Sequence, residues 1–205
     1  IGCEVIDDNH IELSFSEAID ENTALNTNNY TIDNHSIHPS DADYGENYST
    51  VILEFEDTIK EEIYQTLTIY NISDFEGNVN EKIKYTFLYY KAQAYDIVIN
   101  EIMADPSPPV ELPEWEYIEL YNTSDYPINL HNWKFIAGNS EYRFDESIEI
   151  GPKDYLILCH EDAVKLFLVF NSCKGFISFK ISNFGLDMAL FDDNDYLISS
   201  VNFDV

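Results

Sequence analysis

The chain is short of positive charge, of cysteine and of long apolar runs, and each shortage removes a class of function. Arg143 is the only arginine in 205 residues, and 10 basic residues face 39 acidic ones for a formal net charge of −29. A nucleic-acid backbone is held by several Lys or Arg that displace its counterions, and no basic run is present here. The same deficit argues against an anionic membrane surface. The longest apolar run, "LFLVF" (Leu166 to Phe170), falls far short of the ~20 residues of a membrane span. With 7 Gly and 7 Pro, a collagen-like or low-complexity chain is excluded. No signal peptide is legible and the first residue is Ile1, so the expectation is a processed piece of a longer multidomain chain.

Cysteine is scarce as well. Cys3, Cys159 and Cys173 have no zinc-ligand spacing. Cys159 and Cys173 are near enough in sequence for a disulfide, which the loop-entropy estimate values at about 3 kcal/mol. Two buried free thiols are the plainer reading and the favoured one.

What the chain does have is apolar and aromatic residues in strand-like order. Hydrophobic residues make up 45% and aromatics 15%, mostly Tyr and Phe, ample for packed cores. Alternation dominates the first ninety residues. "HIELSF" places Ile11, Leu13 and Phe15 on one face, "TVILEF" does so with Val51, Leu53 and Phe55, and "KIKYTF" with Ile83, Tyr85 and Phe87. Short alternating runs between Asn/Asp/Ser-rich turns predict half-buried strands of an antiparallel sandwich. "DENTALN" (Asp20 to Asn26) and "DTIKEEI" (Asp57 to Ile63) each open on Asp, a good N-cap, and are expected to form a helical turn.

The pattern restarts around "YYKAQAYD" (Tyr89 to Asp96), which puts a boundary between residues 1–91 and 92–205. The later strands are predicted at Ile97 to Met103, Tyr117 to Tyr121, Trp133 to Ile136, Tyr155 to Leu158, Met188 to Phe191 and Leu197 to Val201. "EDAVKLFLVF" (Glu161 to Phe170) has helix-compatible spacing.

Two resemblances sharpen this. "IELSFSEAIDENTALNTNNYTI" and the closing turn "DFEGN" (Asp74 to Asn78) resemble bacterial immunoglobulin-like domains of the surface-layer and adhesin type, over residues 1–91. "INEIMADPSP", "EYIELYN", "INLHNWKF", "YLILC" and "ISNFGLDMALFDDNDYLISSVNF" resemble, in order, the bacterial version of the lamin tail domain, over residues 96–205. Asn132 stands where that pattern carries Gly, and Asn is among the few residues that visit the left-handed region. The resemblance implies an all-β chain of two tandem immunoglobulin-like β-sandwiches, secreted, periplasmic or at the cell surface. It also implies a module that accompanies other domains and carries no catalytic residues of its own.

The stretch "EIMADPSPPVELPEWEYIELYN" is the place to look for chemistry, because Glu111, Glu114, Glu116 and Glu119 crowd into it. A glycosidase needs two carboxylates flanking one cleft, and a hard cation needs several oxygens on one point. On a strand, Glu116, Ile118 and Leu120 share one face while Trp115, Tyr117, Glu119 and Tyr121 share the other, so the acids do not converge. Glu116 and Glu101 are expected to be half-buried structural acids, with amides of the "ADPSPP" loop as the nearest donors for Glu116. Trp115, Tyr117 and Tyr121 are the candidate ligand-facing aromatics, and Trp133 is the expected core anchor.

The histidines (His10, His35, His38, His131, His160) are scattered, with His35 and His38 three apart in a loop. Cys159 adjoins His160, but neighbours on a strand point to opposite faces. "DDND" (Asp192 to Asp195) and "SDADYGEN" (Ser40 to Asn47) read as solvated acidic turns, with calcium as the one ion they could attract. No cofactor and no catalytic set is expected.

The resemblance, more than any single residue, implies a non-catalytic structural, spacer or binding module of a larger exported bacterial protein, for which a protein or glycan at the cell surface is the expected kind of partner. The alternative is an accessory carbohydrate-binding or docking module of a secreted hydrolase. The charge generates one sharp expectation. The chain should show negligible affinity for duplex DNA at physiological salt, and a gel shift with sub-micromolar binding and a steep salt slope would refute it.

Overall fold

The computed structural model describes residues 1–33, 37–109 and 111–203, so His35 lies outside the described residues. The chain is all-β and divides into two compact units, Ile1–Lys91 and Ala92–Val205.

In the first unit, β1 (Gly2–Val5), β2 (His10–Ser14), β4 (Asp41–Tyr44) and β5 (Thr50–Glu54) form an antiparallel sheet in the order β1-β2-β5-β4. A second sheet orders β3 (Tyr30–Ile32), β6 (Tyr64–Ser73) and β7 (Val79–Leu88) as β3-β6-β7. The alternation explains the packing. Ile11, Leu13, Val51 and Leu53 from one sheet and Tyr30, Ile32, Leu67 and Ile69 from the other belong to one buried cluster. Glu54 and Ser14 face water. Asp20 caps the short helix α1 (Glu21–Ala24) by accepting from Asn22 N at 3.0 Å. Between β6 and β7, Asp74 accepts from Glu76 N and Asn78 N while Gly77 takes φ +86°, a conformation open to a residue without Cβ.

Two segments differ from the sequence reading. "DTIKEEI" forms no helix. Ile59 N donates instead to Asp8 O, Ile59 is buried, and Glu61 bridges to Tyr89. One apolar side chain in the core outweighs a weak local propensity. "SDADYGEN" is not a solvated turn throughout, because Asp41–Tyr44 is strand β4, with Ala42 buried and Asp41 and Asp43 outside.

The second unit has two four-stranded sheets. One orders β15 (Ser172–Phe176), β14 (Tyr155–His160), β9 (Tyr117–Asn122) and β8 (Ile97–Met103) as β15-β14-β9-β8. The other orders β12 (Ser140–Arg143), β11 (Lys134–Ala137), β16 (Leu186–Phe191) and β17 (Leu197–Phe203) as β12-β11-β16-β17. A two-strand ribbon pairs β10 (Ile128–Asn129) with β13 (Glu149–Ile150). β14 and β15 run parallel, so the chain must cross over between them. It does so through a 3₁₀ turn (Glu161–Ala163) and the helix α2 (Val164–Phe167), shorter than the Glu161 to Phe170 helix predicted.

Trp133 sits at the entrance to β11 and is 4% exposed, near the fully buried Leu130, Phe135 and Phe144 in sequence. The turn that delivers it needs Asn132 at φ +62°, and Trp133 N donates back to Leu130 O. Truncating a buried Trp costs about 3–5 kcal/mol. Trp133→Ala is therefore expected to unfold or strongly destabilise residues 92–205 while leaving amide protection in 1–91 intact. Hydrogen exchange resolved by segment is the check, and unchanged protection in both halves would remove Trp133 from the core.

Candidate functional site

The acidic stretch around β9 is held apart by its own bonds. Glu116 is half-buried, and its Oε2 accepts from Ile181 N at 2.8 Å. The donor is thus the loop after β15, not the "ADPSPP" segment expected from sequence. Glu101 is exposed rather than half-buried, because a bulge between Ile99 and Glu101 turns it outward. Its Oε1 accepts from Tyr117 Oη at 2.6 Å. Glu119, directly opposite Glu101 in the β8–β9 ladder, accepts from Asn100 Nδ2 at 2.8 Å. Like charges across a ladder repel, and each acid here has its own donor to offset that. Glu111 and Glu114 face water. Glu101 and Glu119 therefore sit side by side across the ladder, each tied to its own donor, while Glu116, Glu111 and Glu114 meet other surroundings.

The aromatics need a larger correction. Tyr117 was expected on an open face, yet it is 4% exposed. It packs with Ile157, Cys159, Ala163 and Phe167 under the β14–β15 crossover, with its ring 5.2 Å from that of Phe167. Burial, and next the Glu101 carboxylate at its hydroxyl, push the Tyr117 phenol well above its ordinary range. Trp115 is half-buried against the same cluster and stacks on His160 at 5.3 Å. Tyr121 is half-buried and lies against Tyr155, ring centroids 4.6 Å apart. The three do not form one stacking platform. The physical reason is the crossover, which covers the face that strand alternation alone assigns to solvent.

One residue that sequence reasoning passed over organises this end of the unit. Asn122, the last residue of "IELYN", has no solvent exposure. Its Nδ2 donates to Tyr126 O at 2.7 Å and Ile150 O at 2.9 Å. Its Oδ1 accepts from Ser124 N at 2.9 Å and Ser124 Oγ at 2.7 Å. A carboxamide has two donors and two acceptor lone pairs, and all four are used. The available signal was an Asn closing an apolar strand ahead of a Ser-Asp turn, which is a preferred site for side-chain-to-backbone bonding.

His10, His38, His160 and the "DDND" turn are likewise engaged by bonds of their own. His10 Nδ1 lies 2.8 Å from Asp7 Oδ1, and His38 Nδ1 lies 2.8 Å from Tyr30 O. His160 Nδ1 accepts from Asp162 N at 3.2 Å and so caps the 3₁₀ turn. In "DDND", Asp192 is buried and accepts from Asn194 N and Tyr196 N, while Asp195 pairs with Lys134. Among the described residues, no group of three or more His, Cys, Asp or Glu is placed to hold a metal ion. A groove in the first unit, lined in part by Phe15, Ile19, Asp74, Val79 and Ile83, is broad and open to solvent. Its Asp74 carboxylate is held below the usual range by the Asn78 side chain and by turn amides.

Cys159 is buried and Cys173 half-buried, with their sulfurs 3.2 Å apart. Cys3 is remote in sequence, and burial, then Glu4, push its thiol up to about 12.

No curated protein matches the chain. Among solved structures, it is similar to the N-terminal part of the bacterial S-layer protein SbsC, at 13% identity and TM-score 0.44, covering 99% of this chain and 43% of that one. It is similar also to the S-layer protein rSbsC(31-844), at 13% identity and TM-score 0.43, covering 100% of this chain and 32% of that one. The chain therefore spans less than half the length of either. The sequence itself carries the stronger match. Residues 91–204 fit the family model described as Lamin Tail Domain, more than half of the chain, and that span holds the two four-stranded sheets of the second unit and the buried Asn122 and Trp133. The chain belongs to the lamin tail domain family.

Proposed function

We propose that the chain is a non-catalytic pair of immunoglobulin-like modules, a spacer, scaffold or binding element at the surface of the cell in a larger exported bacterial protein. Residues 92–205 supply the lamin tail domain and residues 1–91 an immunoglobulin-like domain ahead of it. One observation carries this reading. The carboxylates of the most acidic stretch each hold a separate partner, Glu116 the Ile181 amide, Glu101 the Tyr117 hydroxyl and Glu119 the Asn100 amide. General acid–base chemistry needs two such groups free to turn to one reacting centre; Glu116 is committed to a distant loop amide, and the adjacent Glu101 and Glu119 are each held by a donor of their own.

The charge of −29 supports the same reading. It favours solubility and repels polyanions, and it makes basic protein surfaces the electrostatically preferred partners. A spacer needs rigidity within each module rather than a cleft, and fully bonded buried groups such as the Asn122 carboxamide supply rigidity.

The test is turnover on a broad panel of hydrolase, transferase and nuclease substrates. No activity above background is expected. Glu116→Gln keeps an acceptor for Ile181 N, so its expected stability loss is under about 1.5 kcal/mol. Robust turnover abolished by Glu116→Gln with the melt preserved would overturn the proposal.

A further inference from the structure

The β14–β15 crossover ends on two thiols. The parallel register pairs Ile157 with Cys173 and Cys159 with Gly175. Residues two apart on a strand share a face, so both thiols lie on the face that the crossover covers. Their sulfurs are 3.2 Å apart although 14 residues separate them in sequence. Gly175 explains how the crossover comes so close. A Cβ there would meet Glu161 Cα at 2.7 Å and Val164 Cγ2 at 2.6 Å. The start of the crossover is thus pressed onto the sheet beside the thiols, with Ala163 and Phe167 buried, and β15 is an edge strand whose ladder is to β14.

We propose that Cys159 and Cys173 form a redox-active dithiol, a modification site closed to an intramolecular disulfide by small-molecule disulfides or thiol–disulfide oxidoreductases. Cys173 is the entering nucleophile and Cys159 the resolving one. Cys173 is half-buried and reachable, whereas Cys159 has no solvent exposure. Either thiol can donate across the 3.2 Å contact, and with Cys159 sealed from solvent the arrangement in which Cys159 keeps its proton and donates favours the Cys173 thiolate.

The electrons balance in two exchanges. The Cys173 thiolate attacks one sulfur of the oxidant's disulfide, forming a mixed disulfide and expelling the first oxidant thiolate. Cys159 then loses its proton to that thiolate and attacks Cys173 Sγ, breaking the mixed bond and releasing the second thiolate. Two cysteine thiols are oxidised by two electrons, and one oxidant disulfide is reduced to two thiols. The product ties an edge strand to its interior neighbour and closes the crossover into a covalent loop, over the pocket that buries Tyr117 and Phe167. Such a bond persists in an oxidising compartment outside the cytoplasm.

The experiment treats the full chain with oxidised glutathione and reads intact mass, mapped peptides and the melt. Wild type is expected to lose two hydrogens, with the bond mapped to Cys159–Cys173 and Cys3 still open to alkylation after unfolding. Cys159→Ser should stall as a glutathione adduct on Cys173, while Cys173→Ser should form no adduct on Cys159. Oxidised wild type should melt about 10 °C above its reduced form, and Cys159→Ser should lack that gain. Retention of both free thiols in wild type, equal glutathione adducts on the two variants, or identical melts for the oxidised and reduced forms would each overturn the proposal.

Discussion

A buried carboxamide that must satisfy four hydrogen bonds at once is the constraint on which the lamin tail unit depends. Asn122 ties the end of β9 to the 124–126 turn through Ser124 and Tyr126, and to the end of β13 through Ile150. Its backbone N donates to Asp154 O, so the approach to β14 is fixed from the same residue. A buried polar group left unpaired costs about 1–3 kcal/mol, and Asn122 holds several such groups satisfied together. The neighbouring layers follow from that point. β9 is positioned between β8 and β14, which places Tyr117 under the crossover and Glu116 against the Ile181 amide.

The acidic composition has a related explanation. A net charge of −29 means that at least 29 carboxylates have no cation of their own. The structure gives many of them amides instead. Asp7, Asp20, Asp74 and Asp192 each accept from the backbone N–H two residues on, at 2.8 to 3.0 Å. Asn47 and Asn129 do the same at other turns. Short side-chain acceptors thus set turn geometry throughout, and Asn122 is a buried version of the same device. The ion pairs that do form, such as Lys153 with Asp125 and Arg143 with Glu141, are exposed, and such pairs contribute little to stability.

The strands were legible because alternation is a direct trace of a two-layer core. Ile11, Leu13, Val51, Leu53, Ile83, Tyr85 and Phe87 declared their faces without any tertiary knowledge. Trp133 was legible from its apolar neighbourhood and the Asn132 turn. The errors share a cause, which is contact from outside the local window. Tyr117 was assigned to an open face because nothing in "EYIELYN" announces that β14 and β15 run parallel and place a helix over it. The Glu116 donor came from residue 181, 65 positions away. "DTIKEEI" looked helical until Ile59 entered the core, and Glu101 looked inward until a bulge turned it. Alternation specifies which residues pair across a sheet, whereas crossovers, bulges and distant caps decide which face remains open.

The central claim is that the polar residues of the β8–β9 stretch hold the lamin tail unit together rather than act on a substrate. Native-state hydrogen exchange on Asn122→Ala tests it most directly. The account predicts protection lost by at least about tenfold at the amides of 122–126 and 148–154, spreading through residues 92–205, as one or more stranded hydrogen-bonding groups cost over ~1.4 kcal/mol. Protection in residues 1–91 should stay at the wild-type level. Unchanged exchange throughout the second unit would contradict the account, because it would mean that the buried amide holds nothing.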